Sequence, residues 1–479
     1  MDGFELQETD TLRVLGLTLD KNLNYVQHIK EVTAKSIKLY KKVSRTARAH
    51  WGLSPEILKT IYISVVEPTM LYAANVWAGK SQTAQVKVLL DRVTRTFGIT
   101  ICKAHRTLSL ESSAILAGIL PLDLRAVERS TLYRVRKTGK ELDLLPGREA
   151  EITISPYDLP HPAKRRSINY GLVEDRQDLE KLLQLKMPII YTDGSKIEGK
   201  VGAALSCTIE DKEILQKKLP LASYCSVYQA EAVALREAVK TMVKDRRFRK
   251  AFILSDSRAT LDSLRNPSAL HPIIAEIKDL ISKLNEMEGE AQFFWVKAHI
   301  GIVGNERADE LAKLAATSCK TVPVCDRFPV SFAKRLIRDS TLDTWQARYA
   351  ESNKGATTKK FLPDVRRAYR IIRSLKLDNK VAQLFSGHGG FRAYLHRFKL
   401  APDPFCNCDG ETPQTVEHVI LECPKFLRDR YDCECRMDQV IALSNLEELL
   451  SDKNHRGVFL AFALEVVKST ARANGSTSA

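Results

Sequence analysis

Four acidic residues stand where ordinary surface carboxylates do not. Asp193 closes the apolar run "PIIYTD" and Asp256 closes "AFILSD", so each is predicted to end a strand. Reactive groups of α/β sheets gather at the carboxyl ends of neighbouring strands, and two such ends can share one cleft. Glu231 lies in "SVYQAEAVALREAVKTMVK", on the helical face formed by Val227, Ala234, Leu235, Ala238 and Met242. A charge on an apolar face is unfavourable unless a cation compensates it. A Lys or Arg partner, or a helical phase displaced by one residue, would also account for it. Asp309, early in "GNERADELAKLAAT", reads on its own only as an acid near the positive end of a helix dipole. Converging in one cleft, the four would repel one another without cations. Mg²⁺ resolves this, because it prefers carboxylate oxygens and keeps waters beside a substrate phosphate. Two such ions about 4 Å apart can activate a water and stabilise the leaving oxygen of a phosphodiester. The chemistry expected is cleavage or joining of nucleic acid.

A second constellation lies in "FCNCDGETPQTVEHVILECP". Cys406, Cys408, His418 and Cys423 supply three thiols and an imidazole, a set that fills the tetrahedral shell of a structural Zn²⁺. Only Asn407 separates the first pair, which leaves Cys433 or Cys435 open as substitutes, and a metal-free group of reduced thiols as the plain alternative.

The elements that must position these residues follow from the apolar pattern. "PIIYTD", "VGAALSCTI" and "EILQKKLP" form a predicted three-strand meander, with "AFILSD" and "AQFFWV" as two further strands. The Glu231 helix and a last helix capped by Asn305 complete an α/β unit with a mixed five-stranded sheet and helices on both faces. Before it, "LRVLGLTLD" reads as a strand, and "HIKEVTAKSIKLYKKVSRTARAH" and "SPEILKTIYISVVEPTMLYAANVW" as helices, the latter opened by Ser54 and Pro55. "LPGREAEITISPYDLPHPAKRRS" has four prolines and no period, and reads as a linker. The expected organisation is a helical region over 1–105, a helical connector and linker over 106–185, the α/β domain over 186–318, and a basic helical region over 319–479. That last region contains the Cys/His segment at 401–425.

A length of 479 residues exceeds one hydrophobic core, and a net charge of +16 favours a polyanionic partner, most simply nucleic acid. "DVRRAYRIIRSLK" and "FRAYLHRFK" interleave cations with aromatic rings, which suits phosphate neutralisation and base stacking, or equally a solvated basic face over packed rings. The acidic start "MDGFELQETD" is unlike a secretory signal, and "VFLAFALEVV" is too short to span a bilayer. An intracellular, non-membrane protein is expected, its ten cysteines thiols or metal ligands rather than disulfides.

In order, "YTDGS", "YQAEAVAL", "ILSDS" and "HIGIVGNERADELA" resemble the type 1 ribonuclease H domain. The resemblance implies a ribonuclease H-like fold and hydrolysis of the RNA strand of RNA–DNA hybrids with two Mg²⁺ ions, which Mn²⁺ can replace. It assigns Asp193, Glu231, Asp256 and Asp309 as metal-binding catalytic carboxylates. His299 becomes a loop histidine aiding proton transfer or product departure. Ser195, Gln229 and Asn305 become contacts to the hybrid's backbone or 2′-hydroxyls. The flanks "VLGLTLDKNLNYVQHI", "EPTMLYAANVW", "RTLSLESSAILAGILPLDLRAVER" and "GGFRAYLHRFKL" resemble the C-terminal part of a jockey-like LINE (non-LTR) retrotransposon polyprotein. There, a reverse-transcriptase thumb and connector precede the ribonuclease H and a Cys/His segment, which favours zinc. The upstream reverse-transcriptase part becomes an expected partner. The chain contains no Asp-Asp dipeptide, so polymerase activity is not expected of it. Two rivals remain at this point: a non-catalytic nucleic-acid-binding remnant, and a nuclease or strand-transfer enzyme of the same fold acting on DNA.

Overall fold

The computed structural model describes residues 9–47, 52–139, 145–210, 212–298, 300–318 and 321–475. The chain divides into two compact units, residues 132–337 and residues 1–131 together with 338–479.

The unit at 132–337 is built on one mixed sheet. Its strands are β1 (Tyr170–Val173), β2 (Ile189–Ile197), β3 (Lys200–Ile209), β4 (Lys212–Leu221), β5 (Lys250–Ser255) and β6 (Glu290–Val296), in the order β1-β6-β5-β2-β3-β4. β2, β3 and β4 form an antiparallel meander, while β1, β6, β5 and β2 run parallel to their neighbours. Six strands are present where the sequence predicts five. The additional edge strand β1 lies just beyond the proline-rich linker stretch, within the region expected to be connector and linker, and is followed by a short helix, α1 (Arg176–Leu183).

Period-two alternation along β2 assigns its neighbours. Ile190 packs with Ala230, Val233 and Leu235 of α2 (Val227–Lys244) and with Ile274 and Ile277 of α4 (Pro272–Glu286). Ile189 and Tyr191 face the other way, into a cluster with Phe252, Leu254 and Ala308, the last from α5 (Val303–Ser318). Between β5 and α4, α3 (Arg258–Arg265) adds Leu261 and Leu264 to the first cluster. α2 opens with a reciprocal cap, in which the Ser226 hydroxyl accepts from the Gln229 N–H and Gln229 Oε1 accepts from the Ser226 N–H.

Two glycines let these helices lie close to the sheet. A Cβ on Gly194 would stand 2.5 Å from the Glu231 nitrogen, and one on Gly202 would stand 2.3 Å from the Ala316 nitrogen. Backbone-to-backbone contact of this kind admits no side chain.

In the other unit, Ile29, Tyr62, Val66, Trp77, Leu90 and Phe97 form one core. Phe361, Phe385, Phe391, Val419, Phe459 and Val466 form another, and Cys406 and Cys423 belong to it. Ser54 caps a helix starting at Pro55, as the sequence predicts. "LRVLGLTLD" is not one strand but a hairpin of Thr11–Val14 and Leu17–Asp20. Leu15 and Gly16 both take positive φ there, which is the chirality a two-residue hairpin turn needs. Among the described residues no helix is long and apolar enough to cross a membrane.

Candidate active site

Asp193 does not end its strand. β2 continues to Ile197, pairing Asp193 with Ala204 and Gly194 with Ala203 of β3. The expectation that the strand ends at Asp193 is therefore corrected, and the reason lies in β3, which supplies hydrogen bonds beyond the apolar run. On its other side β2 does lose its partner here, since the register with β5 stops at Thr192 opposite Ser255. The next residues on the two strands are Asp193 and Asp256, so parallel register alone sets these two acids side by side. The Asp256 carbonyl is fixed by the Trp295 indole N–H at 3.0 Å and the Arg258 N–H at 3.0 Å.

Glu231 reaches the same place from α2. Its backbone abuts Gly194, and its face is the buried one of the helix, shared with Ala234, Leu235, Ala238 and Met242. Val227, placed on that face by the sequence, is instead 44% exposed, because it occupies the first helical position beyond the cap.

Carboxylate oxygens of Asp193, Glu231 and Asp256 all lie within 4.8 Å of one another. Asp193 is 6% exposed and Glu231 7% exposed, and Asp193 Oδ2 and Glu231 Oε2 are buried without a hydrogen-bond partner. Burial first, then the Asp256 and Asp309 charges, push Asp193 up to about 7. Burial and the neighbouring Asp193 and Asp256 charges push Glu231 well above the usual carboxylate range. Two buried acids with a vacant oxygen each, beside a third, form a donor set for a hard cation. Asp309 stands outside the tight group. Lys313, one helical turn on, donates to its Oδ2 at 2.7 Å, while its charge still acts on Asp193 and Glu231.

Residues 186–317 match the RNase H family. That stretch is an RNase H domain. The chain is similar to the retrovirus-related Pol polyprotein from type-1 retrotransposable element R1 4 of Nasonia vitripennis, at 30% identity over 30% of this chain and 36% of that protein. The R1 Pol polyprotein of Popillia japonica is 27% identical over 43% of this chain and 78% of its own length. Among solved structures, LC11-RNase H1 in complex with RNA/DNA hybrid is 22% identical, with a TM-score of 0.23, covering 27% of this chain and 96% of that one. The chain thus spans little more than a third of the Nasonia polyprotein and 13% of a 115 kDa protein in the Drosophila melanogaster R1DM element.

Other residues singled out in the sequence of the RNase H domain fare differently. Ser195 is half-buried on β2, on the strand face of Asp193. Asn305 is not a cap, because α5 begins at Val303; it is 5% exposed, and its side-chain oxygen is buried without a partner. Gln229 is fully buried, its amide donating to Glu151 Oε2 at 2.7 Å and to the Arg327 carbonyl at 3.1 Å. Its hydrogen-bonding capacity is spent inside the protein, which removes it as a ligand contact. His299 lies outside the described residues. Lys313 and Glu151 were not found from the sequence. Lys313 had a signal in its i,i+4 spacing from Asp309. Glu151, which also accepts from His271 Nε2 at 3.0 Å, had none.

Cys406, Cys408, His418 and Cys423 offer atoms within 4.8 Å of one another. Cys406 and Cys423 sulfurs are 3.8 Å apart, and Cys408 Sγ is 3.3 Å from His418 Nε2. These four side chains form a group that could bind a metal. Burial opposes ionisation of Cys406, but hydrogen bonds from the Cys408 backbone and the Gln414 amide outweigh it and hold the thiol down at about 7. Neither Cys433, whose thiol donates to the Val458 carbonyl, nor exposed Cys435 joins the group.

Proposed function

We propose that this chain hydrolyses the RNA strand of RNA–DNA hybrids, with Mg²⁺ held by Asp193, Glu231 and Asp256. The observation that carries this reading is the pair of buried, unpartnered oxygens on Asp193 and Glu231 beside a third carboxylate. Bound there, Mg²⁺ would supply an activated water and stabilise the departing oxygen of the phosphodiester. The protein's part is to hold the acids rigidly: β2 and β5 by register, α2 by its contact at Gly194. Asp309 joins the set when Lys313 yields its carboxylate. Ser195 and Asn305 are the residues we assign to the hybrid's sugar–phosphate backbone, and His299 to proton transfer or product departure. An RNA–DNA hybrid is the proposed substrate, and a reverse transcriptase carried upstream in an R1-like element the proposed partner.

The test uses labelled RNA–DNA hybrid, RNA duplex and DNA duplex with Mg²⁺, comparing wild type with Asp193→Asn. Cleavage confined to the RNA of the hybrid and lost in the variant is expected. Tight hybrid binding without Mg²⁺-dependent cleavage would overturn the reading in favour of a non-catalytic binding protein.

The Cys/His group we assign to a structural Zn²⁺. For Zn–S bonds of about 2.3 Å, a tetrahedral edge is about 3.8 Å. The 3.8 Å sulfur–sulfur separation therefore suits it without rearrangement. Purified protein should carry one equivalent of zinc that the Cys406→Ser, Cys423→Ser double variant lacks; equal zinc in both removes the assignment.

A further inference from the structure

The unit formed by 1–131 and 338–479 contains a cavity of about 580 Å³ whose lining has no acidic residue. The fourteen residues of its wall include three cations and no Asp or Glu. Three cations border it, Arg95, Lys354 and Arg397, and none has a carboxylate partner among the described residues. Arg95 is held in place by bonds to backbone only, its Nε donating to the Leu108 carbonyl at 2.8 Å. Its charge is thus fixed at the wall and uncompensated. Glu111, the acid next to this wall in sequence, is not among the lining residues and accepts from the Ser352 hydroxyl at 3.1 Å.

Thr107, Ser109, Ser112, Thr357 and Ser386 line it as well. Ser109 caps the helix Leu110–Ala117, accepting from the Ser112 N–H at 3.1 Å, so the positive end of that helix also faces the cavity. The Thr358 hydroxyl donates to Ser112 Oγ at 2.8 Å, whereas the Thr357 hydroxyl beside it has no partner among the described residues and remains a donor. His388 is bonded to the Thr107 hydroxyl at 3.0 Å, and burial, with the His105 and Arg397 charges, pushes it down to about 4. At neutral pH it is an uncharged ring at the edge of a cationic, hydroxylic site. Gly355 keeps the site open, since a Cβ there would stand 2.7 Å from the Ser112 hydroxyl.

One fixed cation, two exposed ones, an unspent hydroxyl donor and no acid suit the recognition of phosphate esters. The volume exceeds what one oxyanion needs and is too small for a duplex, which suits a nucleotide segment of one strand. We propose that this cavity binds the phosphodiester backbone of single-stranded nucleic acid, separately from the RNase H carboxylates. The proposal does not depend on hydrolysis by the other unit.

Fluorescence anisotropy of a labelled twelve-nucleotide RNA, in EDTA and at several NaCl concentrations, tests it on the full chain. Against wild type stand Lys354→Ala, Arg397→Ala, and a charge-matched control, Lys453→Ala, Lys468→Ala, on the exposed face of the last helix. The first double variant should bind about tenfold more weakly, with a salt slope lower by about 1.4, while the control changes little. Restoring charge with Lys354→Arg, Arg397→Lys should recover most of the affinity, which a folding defect would not allow. Equal losses in both double variants would mean undirected attraction and overturn the proposal. So would unchanged RNA affinity accompanied by cation-dependent binding of inorganic phosphate or a mononucleotide, which would assign the cavity to a free phosphate ester.

Discussion

Asp193 sits in surroundings that oppose its own charge. Its folded-state value of about 7 lies above the ordinary 3.8, so the native state binds this proton more tightly than the unfolded chain does. Between those two values the folded state carries more protons, and metal-free stability falls as pH rises. The full displacement corresponds to roughly 4 kcal/mol withdrawn by pH 8. Asp193→Asn removes this burden. In EDTA the variant is expected to melt several degrees above wild type at pH 8 and near it at pH 4. Mg²⁺ should raise the wild-type midpoint and leave the variant unmoved. A variant that melts below wild type at pH 8 would refute the repulsion argument. The neighbouring Lys313 bears on the same balance: because it competes for Asp309, Lys313→Ala should lower the Mg²⁺ concentration for half-maximal cleavage by about two- to fivefold. An unchanged or higher requirement would count against that competition. Asp193, Glu231 and Asp256, which the structure brings together, stand out in the sequence because an acid beside apolar neighbours is an anomaly a pattern can register, whereas Asp309 has no such neighbours to mark it. Gln229 was misread for the opposite reason. Its partner Glu151 is 78 residues away, and local spacing carries no trace of so distant a bond.

At the scale of elements, the glycines decide how near the acids come. Gly194 lies just past the point where the apolar run predicts the strand to end, yet it is a strand residue that makes room for α2. Its value lies in the missing Cβ, which no dihedral preference announces. Gly194→Ala must push Ala230 and Glu231 away from β2, and overpacking of this kind costs about 1–3 kcal/mol. Urea unfolding should register that loss, and hybrid cleavage should fall by at least about tenfold because Glu231 retreats from Asp193 and Asp256. Wild-type stability with wild-type turnover would mean the helix does not lie as close as the backbone places it. Strands β2 to β6 and helices α2 and α5 were readable from alternation, helical period and capping residues. β1 was not, because four residues beyond a proline-rich stretch give too short a pattern. The hairpin at Leu15-Gly16 escaped for a related reason: its two short strands continue one alternating run.

For the whole molecule, the RNase H match at 186–317 is narrower than the compact unit at 132–337 that contains it. The difference is structural. Tyr170–Val173 covers the outer edge of β6, and Val173, 1% exposed, packs with Tyr191, Phe252 and Leu254. Leu179, Leu182 and Leu183 of α1 lie against the same cluster. Glu149–Ala150 pairs with Arg327–Phe328, and beside it Glu151 receives the Gln229 amide within the cap of α2. A fragment cut to 186–317 would leave the β6 edge unpaired, the apolar cluster open and the Gln229 amide without its acceptor. Losing the burial of one valine and parts of three leucines alone amounts to roughly 3 kcal/mol or more. Urea unfolding of fragments 132–337 and 186–317, each with Mg²⁺, therefore tests where this domain ends. The longer fragment should unfold cooperatively at a clearly higher midpoint and stay monomeric, while the shorter one should associate through its bare strand edge. Matching midpoints with both fragments monomeric would mean that β1 and its helix only decorate the sheet, and that the matched stretch holds its carboxylates in place unaided.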